Sequence, residues 1–295
     1  MNQSIKNIAV AGGSGGLGAF ITKALIRSNY QVTVLTRDTK TLVPGAKTVT
    51  IDYHNHDDLV EALRGIDAIV STISGTALLD GQIILINAAV EAGVKRFLPS
   101  EFGVDLRGLD NPEVDFKIMH EVEHNPKSIV RKELIKHQDT MTWTFLNTGF
   151  FTDTTLLPEL GFDLANKKVS IVGDGNALVS WTTRYDVGEF VVAILADSES
   201  QNQEINLVAD VKTLNEIVSD IENIRNIKLS VTYHSAEEAI SILSRTKFEH
   251  PYLAFIEELK RFLGSGYAYQ KINDIARYTN VQTTTVHDFI KCSPA

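Results

Sequence analysis

The sequence contains little cysteine, and that scarcity excludes two kinds of architecture. Cys292 is the single cysteine among 295 residues, so neither an intramolecular disulfide framework nor a cysteine-based metal site can form. No apolar run reaches the roughly 20 residues that a membrane-spanning helix requires, and the N-terminus carries no apolar secretory segment. These absences lead us to expect a reducing, cytoplasmic setting and no membrane association.

Positive charge is also scarce. The chain has 28 Lys and Arg residues against 37 Asp and Glu residues, for a formal net charge of −9. Nucleic acids and anionic membranes are bound by basic surfaces, so we expect neither as a partner and expect a small-molecule substrate instead. A hydrophobic fraction of 43% and a charged fraction of 22% are typical of a globular chain with a sizeable core.

What the sequence does contain is a glycine-rich turn near the N-terminus. The apolar run Ile8–Ala11 has the length of a buried strand, the segment G-G-S-G-G-L-G follows at residues 12–18, and Val32–Leu35 is a second apolar run. Between the glycines and the second run, apolar residues recur at helical spacing. Strand, glycine turn, helix and strand in this order form the first half of a dinucleotide-binding unit.

The glycines predict a binding site for the pyrophosphate of a dinucleotide. Glycine permits a tight turn at positive φ, and the start of the following helix offers unpaired N–H groups and the positive end of its dipole. The spacing G-x-x-G-x-x-G is present, and a serine hydroxyl within it can donate to a phosphate oxygen. The residues predicted to contact the cofactor here are Gly12, Ser14, Gly15, Gly16, Leu17 and Gly18.

The end of the second strand indicates which cofactor is bound. An NAD-binding chain usually has a carboxylate about 20 residues beyond the glycines, whereas Arg37 occupies this position here. A guanidinium group suits the 2′-phosphate of NADPH, and Lys40 is near enough in sequence to assist. Asp38 follows Arg37 directly and is the residue that would favour NAD instead. We predict NADPH as the cofactor.

The alternation of strands and helices continues through the first half of the chain. One predicted helix begins with Asp57 as its cap, and another ends at Gly93. Strands joined by helical crossovers form a parallel sheet with helices on both faces. The further predicted strands are Lys47–Ile51, Ala68–Ile73, Arg96–Pro99 and Thr142–Leu146.

Such a sheet binds its ligands at the carboxyl ends of the strands. The residues that follow the predicted strands are therefore expected to face the cofactor, and paired aromatics after the last one are candidates for a wall over the nicotinamide and substrate. The expected cofactor contacts are Thr72, Ser74, Ser100 and Phe102, and the expected substrate contacts are Phe150 and Phe151.

The pattern predicts an α/β fold: a Rossmann-type, doubly wound parallel sheet with a smaller α+β substrate domain at the C-terminus. We place the NADP-binding domain at residues 1–152 and the substrate domain at residues 153–295. Within the second segment, residues of about 177–208 are expected to return to the Rossmann sheet. Strands and a helix are predicted in that stretch.

Other short motifs match the sequence but fit its organisation poorly. G-x-S-x-G around Ser14 resembles a hydrolase elbow, yet no upstream strand exists to supply the second oxyanion donor. H-E-V-E-H at His120–His124 has the spacing of a zinc protease, but Asn125-Pro126 interrupts a helix there, so we predict no metal. Y-x-x-x-K occurs at Tyr267–Lys271, too late in the chain for a dehydrogenase helix.

Several motifs together resemble one known family. The glycine segment at residues 12–18 is followed by V-K-R-F-L-P-S-E-F-G at Val94–Gly103, K-S-I-V-R at Lys127–Arg131 and G-D-G at Gly173–Gly175. This order is similar to the isoflavone reductase-like and phenylcoumaran benzylic ether reductase group, in the NmrA-like branch of atypical short-chain dehydrogenases. The resemblance implies an NADPH-dependent reductase with a Rossmann domain and a smaller substrate domain.

The resemblance also implies that Lys127 is the catalytic residue and lies beside the cofactor. A lysine in a desolvated pocket or near another cation releases its proton more readily than a surface lysine, which suits acid–base work on a substrate oxygen. We predict reduction of a small aromatic or carbonyl-bearing metabolite. Two alternatives stay open: an NADP(H)-sensing regulator that binds a protein partner, and non-redox acid–base catalysis around a structural NADP(H). The sequence also leaves a homodimer open.

Overall fold

The structure, a computed structural model, describes residues 5–38, 40–105, 125–246 and 251–293. The strands are β1 (Asn7–Ala11), β2 (Gln31–Thr36), β3 (Lys47–Thr50), β4 (Ala68–Ser71), β5 (Arg96–Leu98), β6 (Thr142–Asn147), β7 (Phe150–Phe151), β8 (Phe162–Asp163), β9 (Lys168–Val172), β10 (Leu178–Thr182), β11 (Gln203–Asn206), β12 (Asp210–Thr213) and β13 (Ser230–His234). The helices are α1 (Gly16–Arg27), α2 (His56–Leu63), α3 (Asp80–Ala92), α4 (Pro126–Lys136), α5 (Thr152–Thr155), α6 (Arg184–Ala196), α7 (Leu214–Arg225), α8 (Ala236–Thr246), α9 (Pro251–Gly264) and α10 (Val286–Cys292).

The largest sheet has seven strands in the order β11-β6-β5-β4-β1-β2-β3, and every neighbouring pair in it is parallel. β1 lies inside the sheet between β4 and β2, and the turn from β1 to α1 is therefore beside the carboxyl ends of both neighbours. The chain order reverses around β1, which creates the crevice where such sheets bind ligands.

Helices cover both faces of this sheet because the side chains of its strands alternate between two apolar cores. In β1, Ile8 and Val10 pack into one core with residues of α1 and α6. Ala9 and Ala11 pack into the other with residues of α2, α3 and α4. A strand buried on both faces is apolar throughout, which explains why Ile8–Ala11 shows no polar alternation.

The C-terminal half adds two small sheets and a third core. The sheets have the orders β12-β10-β7 and β13-β9-β8, and their core contains residues of β9, β10, α7, α9 and α10. The stretch at 177–208 is divided between the two halves: β11 joins the large sheet and α6 packs on it. β10, in contrast, pairs with β7 and β12 in a small sheet.

The sequence predicted the end of one helix correctly and the start of another wrongly. Gly93 ends α3 in the left-handed conformation, with a φ of 78°, as its position predicted. The cap of α2 was predicted wrongly: it is Asn55 and not Asp57, because the Asn55 side chain accepts the N–H of Asp58 at 3.3 Å. Tyr267–Lys271 lies after the end of α9 and is not helical.

The Rossmann-type α/β fold predicted from the sequence is confirmed. Within the described residues, no helix is both long enough and apolar enough to cross a membrane.

Candidate active site

At the glycine turn between β1 and α1, the start of the helix packs closely against the backbone of the turn. Gly12 has a φ of 77°, which only glycine adopts readily. A Cβ at Gly18 would lie 2.2 Å from the carbonyl oxygen of Gly12 and 2.6 Å from Oγ1 of Thr72. A Cβ at Gly15 or Gly16 would meet no other part of the chain within 4 Å. Gly18 thus packs the helix onto the turn, while Gly15 and Gly16 leave free space beside their backbone.

The N-terminus of α1 is arranged to receive an anion. Its cap residue, Gly15, provides no side-chain hydrogen bond, and the first turn carries no acidic residue. α2, in contrast, is capped by Asn55 and has Asp57 and Asp58 in its first turn. Unpaired N–H groups and the positive end of the helix dipole favour a phosphate at such an end. The turn therefore fits the pyrophosphate of a dinucleotide.

A cavity of about 860 Å³ extends from this turn across the carboxyl ends of the strands. Most of the residues predicted from the sequence line it, although they come from distant parts of the chain. The predicted residues in its wall are Gly12, Ser14, Gly15, Gly16, Leu17, Arg37, Thr72, Ser74, Ser100, Phe102, Lys127 and Phe151.

Three predicted residues do not line this cavity. Gly18 lies beneath the turn, where it has the packing role described above. Lys40 is exposed, outside the cavity wall. Phe150 packs into the C-terminal core, with its ring 6.2 Å from that of Trp181 and 6.0 Å from that of Phe262. Successive residues of a strand face opposite sides, so β7 presents Phe151 to the cavity and Phe150 to that core.

Arg37 and Asp38 stand side by side at the far end of the cavity but differ in what their side chains contact. One carboxylate oxygen of Asp38 accepts the N–H of Lys40 at 2.9 Å, and the other accepts the Thr41 hydroxyl at 2.8 Å. These hydrogen bonds hold the pKa of Asp38 below its usual value. The carboxylate is thus hydrogen-bonded within its own turn. Arg37, in addition to this cavity, lines an adjoining one of about 580 Å³ together with Tyr53.

Lys127 is placed by the first turn of α4. Asn125 caps this helix by accepting the N–H of Lys127 at 2.9 Å, and Pro126 occupies its first position, where the fixed φ of proline suits a helix. Nζ of Lys127 donates to the carbonyl oxygen of Glu101 at 2.6 Å. Burial lowers the pKa of Lys127, the Glu101 carboxylate partly opposes this, and the Arg131 charge adds to it.

The carboxylate of Glu101 is bound by the same helix one turn further on. Nε and Nη2 of Arg131 each donate to one carboxylate oxygen at 2.9 Å, and Nη1 donates to Glu204 at 2.9 Å. The Arg131 guanidinium also lies 4.8 Å from the ring centroid of Phe145. α4 therefore holds Glu101 at both ends, its carbonyl through Lys127 and its carboxylate through Arg131.

Some residues of the cavity wall carry no signal in the sequence. Glu101 is not one of them, because it lies in the segment Ser100–Gly103, which follows β5 and was expected to face the cofactor. Thr154, Arg184 and Phe255 also line the cavity, but each comes from the C-terminal half and belongs to no motif. Only the folded chain brings them into the same cavity wall as Lys127.

The zinc-like motif His120–His124 lies outside the described residues. Among the residues that are described, no group of His, Cys, Asp and Glu side chains is arranged to hold a metal ion.

Comparison with known proteins identifies the family. The model of the NmrA-like family matches residues 4–290. The oxidoreductase aprR of Aspergillus flavus is 31% identical, over 82% of this chain and 80% of its own, and an isoflavone reductase of Glycine max is 28% identical, over 96% and 97%. A crystal structure of an isoflavone reductase superposes with a TM-score of 0.80 at 26% identity, covering 97% of this chain and 99% of the other. The resemblance seen in the motifs is confirmed, and the chain belongs to the NmrA-like family.

Proposed function

We propose that this protein is an NADPH-dependent reductase of a small aromatic or carbonyl-bearing substrate, with Lys127 as the acid–base residue. The observation that carries the proposal is the cavity that joins the glycine turn, Arg37 and Lys127 in one continuous wall. The relatives support the reaction type, since one is named an oxidoreductase and another an isoflavone reductase.

NADPH, when bound, would supply a hydride to the substrate. The N-terminus of α1 would hold its pyrophosphate, and Arg37 would face its 2′-phosphate. Phe102 and Phe151 form apolar parts of the wall and would keep water from the reacting atoms. Lys127 would hydrogen-bond the substrate oxygen and transfer a proton to it, so that a carbonyl plus hydride and proton becomes an alcohol. The Glu101 carbonyl, 2.6 Å from Nζ, would keep the ammonium oriented during this transfer.

The test is a screen for NADPH oxidation with aromatic ketones, enones and benzylic ethers. We expect at least one class to be turned over, and the product would show which bond is reduced. If the protein binds NADPH but reduces nothing, and its affinity for a protein partner changes with NADP(H), the result would contradict the proposal in favour of a sensor. Conversion of a substrate without any net oxidation of NADPH would contradict it in favour of non-redox catalysis.

Replacing Arg37 with alanine should remove most of the preference for NADPH over NADH. A guanidinium bonded to a phosphate contributes about 1.5–3 kcal/mol, so the ratio of the two dissociation constants should fall by about tenfold or more. Calorimetric titration with both cofactors measures it. Lys40→Ala is the matched control, because Lys40 does not line the cavity and should change the ratio little. Equal affinity of the intact protein for NADPH and NADH would show that the assignment is wrong.

The lowered pKa of Lys127 predicts a particular dependence of the rate on pH. A lysine that donates a proton works only below its pKa, so kcat/KM should fall as the pH rises through that value. Because burial lowers the pKa, the fall should occur at a lower pH than an ordinary lysine would show. Lys127→Arg should lack this alkaline limb, because arginine remains protonated throughout. An identical limb in both proteins would assign it to another group.

A further inference from the structure

Arg184 is a cation in the cavity wall to which neither the motifs nor the proposed reaction assigns a role. It is the first residue of α6 and lines the same cavity as Lys127 and the glycine turn. Its Nε donates to Oδ2 of Asp153 at 2.7 Å, and its backbone N–H donates to Oδ1 of the same carboxylate at 3.2 Å. The guanidinium carbon lies 4.9 Å from the ring centroid of Phe20, on α1.

These contacts fix the guanidinium without using its two terminal nitrogens. Asp153 engages Nε, and the guanidinium carbon lies over the ring of Phe20. Within the described part of the chain, neither Nη1 nor Nη2 of Arg184 has a hydrogen-bond partner. The side chain is only 24% exposed, so it has lost much of the freedom that a surface arginine keeps. An oriented arginine with two free donors is the usual arrangement for binding carboxylate or phosphate oxygens.

The two carboxylates of the cavity wall, those of Glu101 and Asp38, already have partners. The Glu101 carboxylate is bound by Arg131, and the Asp38 carboxylate accepts from its own turn. Within the described residues, Asp153 is therefore the carboxylate paired with Arg184. Arg184 is also close to α1, whose N-terminus has no side-chain cap.

We propose that Arg184 binds an anionic oxygen group inside this cavity, through Nη1 and Nη2. Two sources share this chemistry: the pyrophosphate of the cofactor, and a carboxylate carried by the substrate. The inference rests on the proposed function, since both sources assume that the cavity is a cofactor and substrate site. Asp153 and Phe20 act as positioning residues that hold the guanidinium ready.

Arg27 provides a matched control for the removal of Arg184. Arg27 is the last residue of α1, and its guanidinium carbon lies 5.2 Å from the ring centroid of Tyr185, the residue after Arg184, and is paired with Glu189. Like Arg184 it contacts one aromatic ring and one carboxylate of other helices, but it does not line the cavity. Arg27→Ala therefore removes the same charge and a similar contact without touching the proposed anion site.

The first arm of the experiment tests the pyrophosphate. Dissociation constants for NADPH and for adenosine 2′-monophosphate, which has no pyrophosphate, are measured for the intact protein and for Arg184→Ala, Arg184→Lys and Arg27→Ala. Charged hydrogen bonds of this kind correspond to a loss on the order of 10- to 100-fold. If the pyrophosphate is the ligand, Arg184→Ala weakens NADPH by that factor and leaves adenosine 2′-monophosphate unchanged, Arg184→Lys loses less, and Arg27→Ala loses nothing.

The second arm tests a substrate carboxylate. Binding of 4-hydroxycinnamate and of its methyl ester is compared with the protein saturated with NADP⁺. If the substrate carries the anion, the intact protein binds the acid more tightly than the ester, and Arg184→Ala removes that difference while its affinity for NADPH is unchanged. Asp153→Asn should reduce the difference in part, because the guanidinium loses its charged partner.

Either selective loss supports the proposal and identifies the source of the anion. The proposal is overturned if Arg184→Ala matches Arg27→Ala in both arms, or if it weakens NADPH and adenosine 2′-monophosphate equally. Thermal unfolding of each variant shows whether the fold is intact, and Arg184→Lys provides the comparison if the alanine variant is unstable. Failure of the intact protein to bind NADPH at all is a different outcome, which refutes the proposed function itself.

Discussion

Replacing Lys127 with alanine should lower kcat by ~10²–10⁴, the usual contribution of a positioned acid–base group. The dissociation constant for NADPH should change little, because the pyrophosphate and the 2′-phosphate are assigned to α1 and Arg37. Stability should change little, because Lys127 is only half-buried and a partly solvated lysine holds little of the core together. Steady-state kinetics, NADPH titration and thermal unfolding of the variant measure the three quantities.

Control variants distinguish proton transfer by Lys127 from an effect of its positive charge alone. Lys127→Arg keeps a cation at the same place but cannot release its proton, so it should remain slow. Lys132→Ala removes an exposed lysine from the same helix and should leave kcat unchanged. A Lys127→Ala protein that reduces a substrate at the rate of the intact protein would assign the chemistry to another group.

Replacing Arg131 with methionine should lower the free energy of unfolding by about 3–5 kcal/mol, the cost of leaving a buried charge without its partner. Only 1% of the Glu101 side chain and 14% of the Arg131 side chain are exposed. The carboxylate would lose both of its Arg131 hydrogen bonds and could not be solvated in compensation. Denaturant unfolding of the two proteins measures the difference, and kcat should fall as well because Glu101 orients Lys127.

Two further variants distinguish this loss from a general effect of removing arginine. Arg64→Met breaks an ion pair with Glu61 in which the side chains are 68% and 75% exposed, so it should cost less than about 1 kcal/mol. The double variant Arg131→Met, Glu101→Gln removes both charges and should recover part of the lost stability. Equal costs for Arg131→Met and Arg64→Met would contradict the role assigned to the buried pair.

The sequence by itself determined the features that depend on residues close together along the chain. Turns such as Gly12 and helix ends such as Gly93 need a backbone that only glycine readily provides, so their positions are readable without the fold. The parallel sheet follows from apolar strands that alternate with helices, and its carboxyl edge predicted Thr72 and Ser100. Lys127 came from the resemblance, and its role remains a prediction.

Only the tertiary structure decided which side chains are available to a ligand. Phe150 and Phe151 are identical in type and adjacent, and the pairing of β7 with β10 determines which of them faces the cavity. Asp38 was the residue that favoured NAD, and its occupation by Lys40 and Thr41 is a property of the folded turn. Arg184 belongs to no motif because its partners, Asp153 and Phe20, are distant in sequence. Contacts of this kind arise from packing between elements, and no local pattern encodes them.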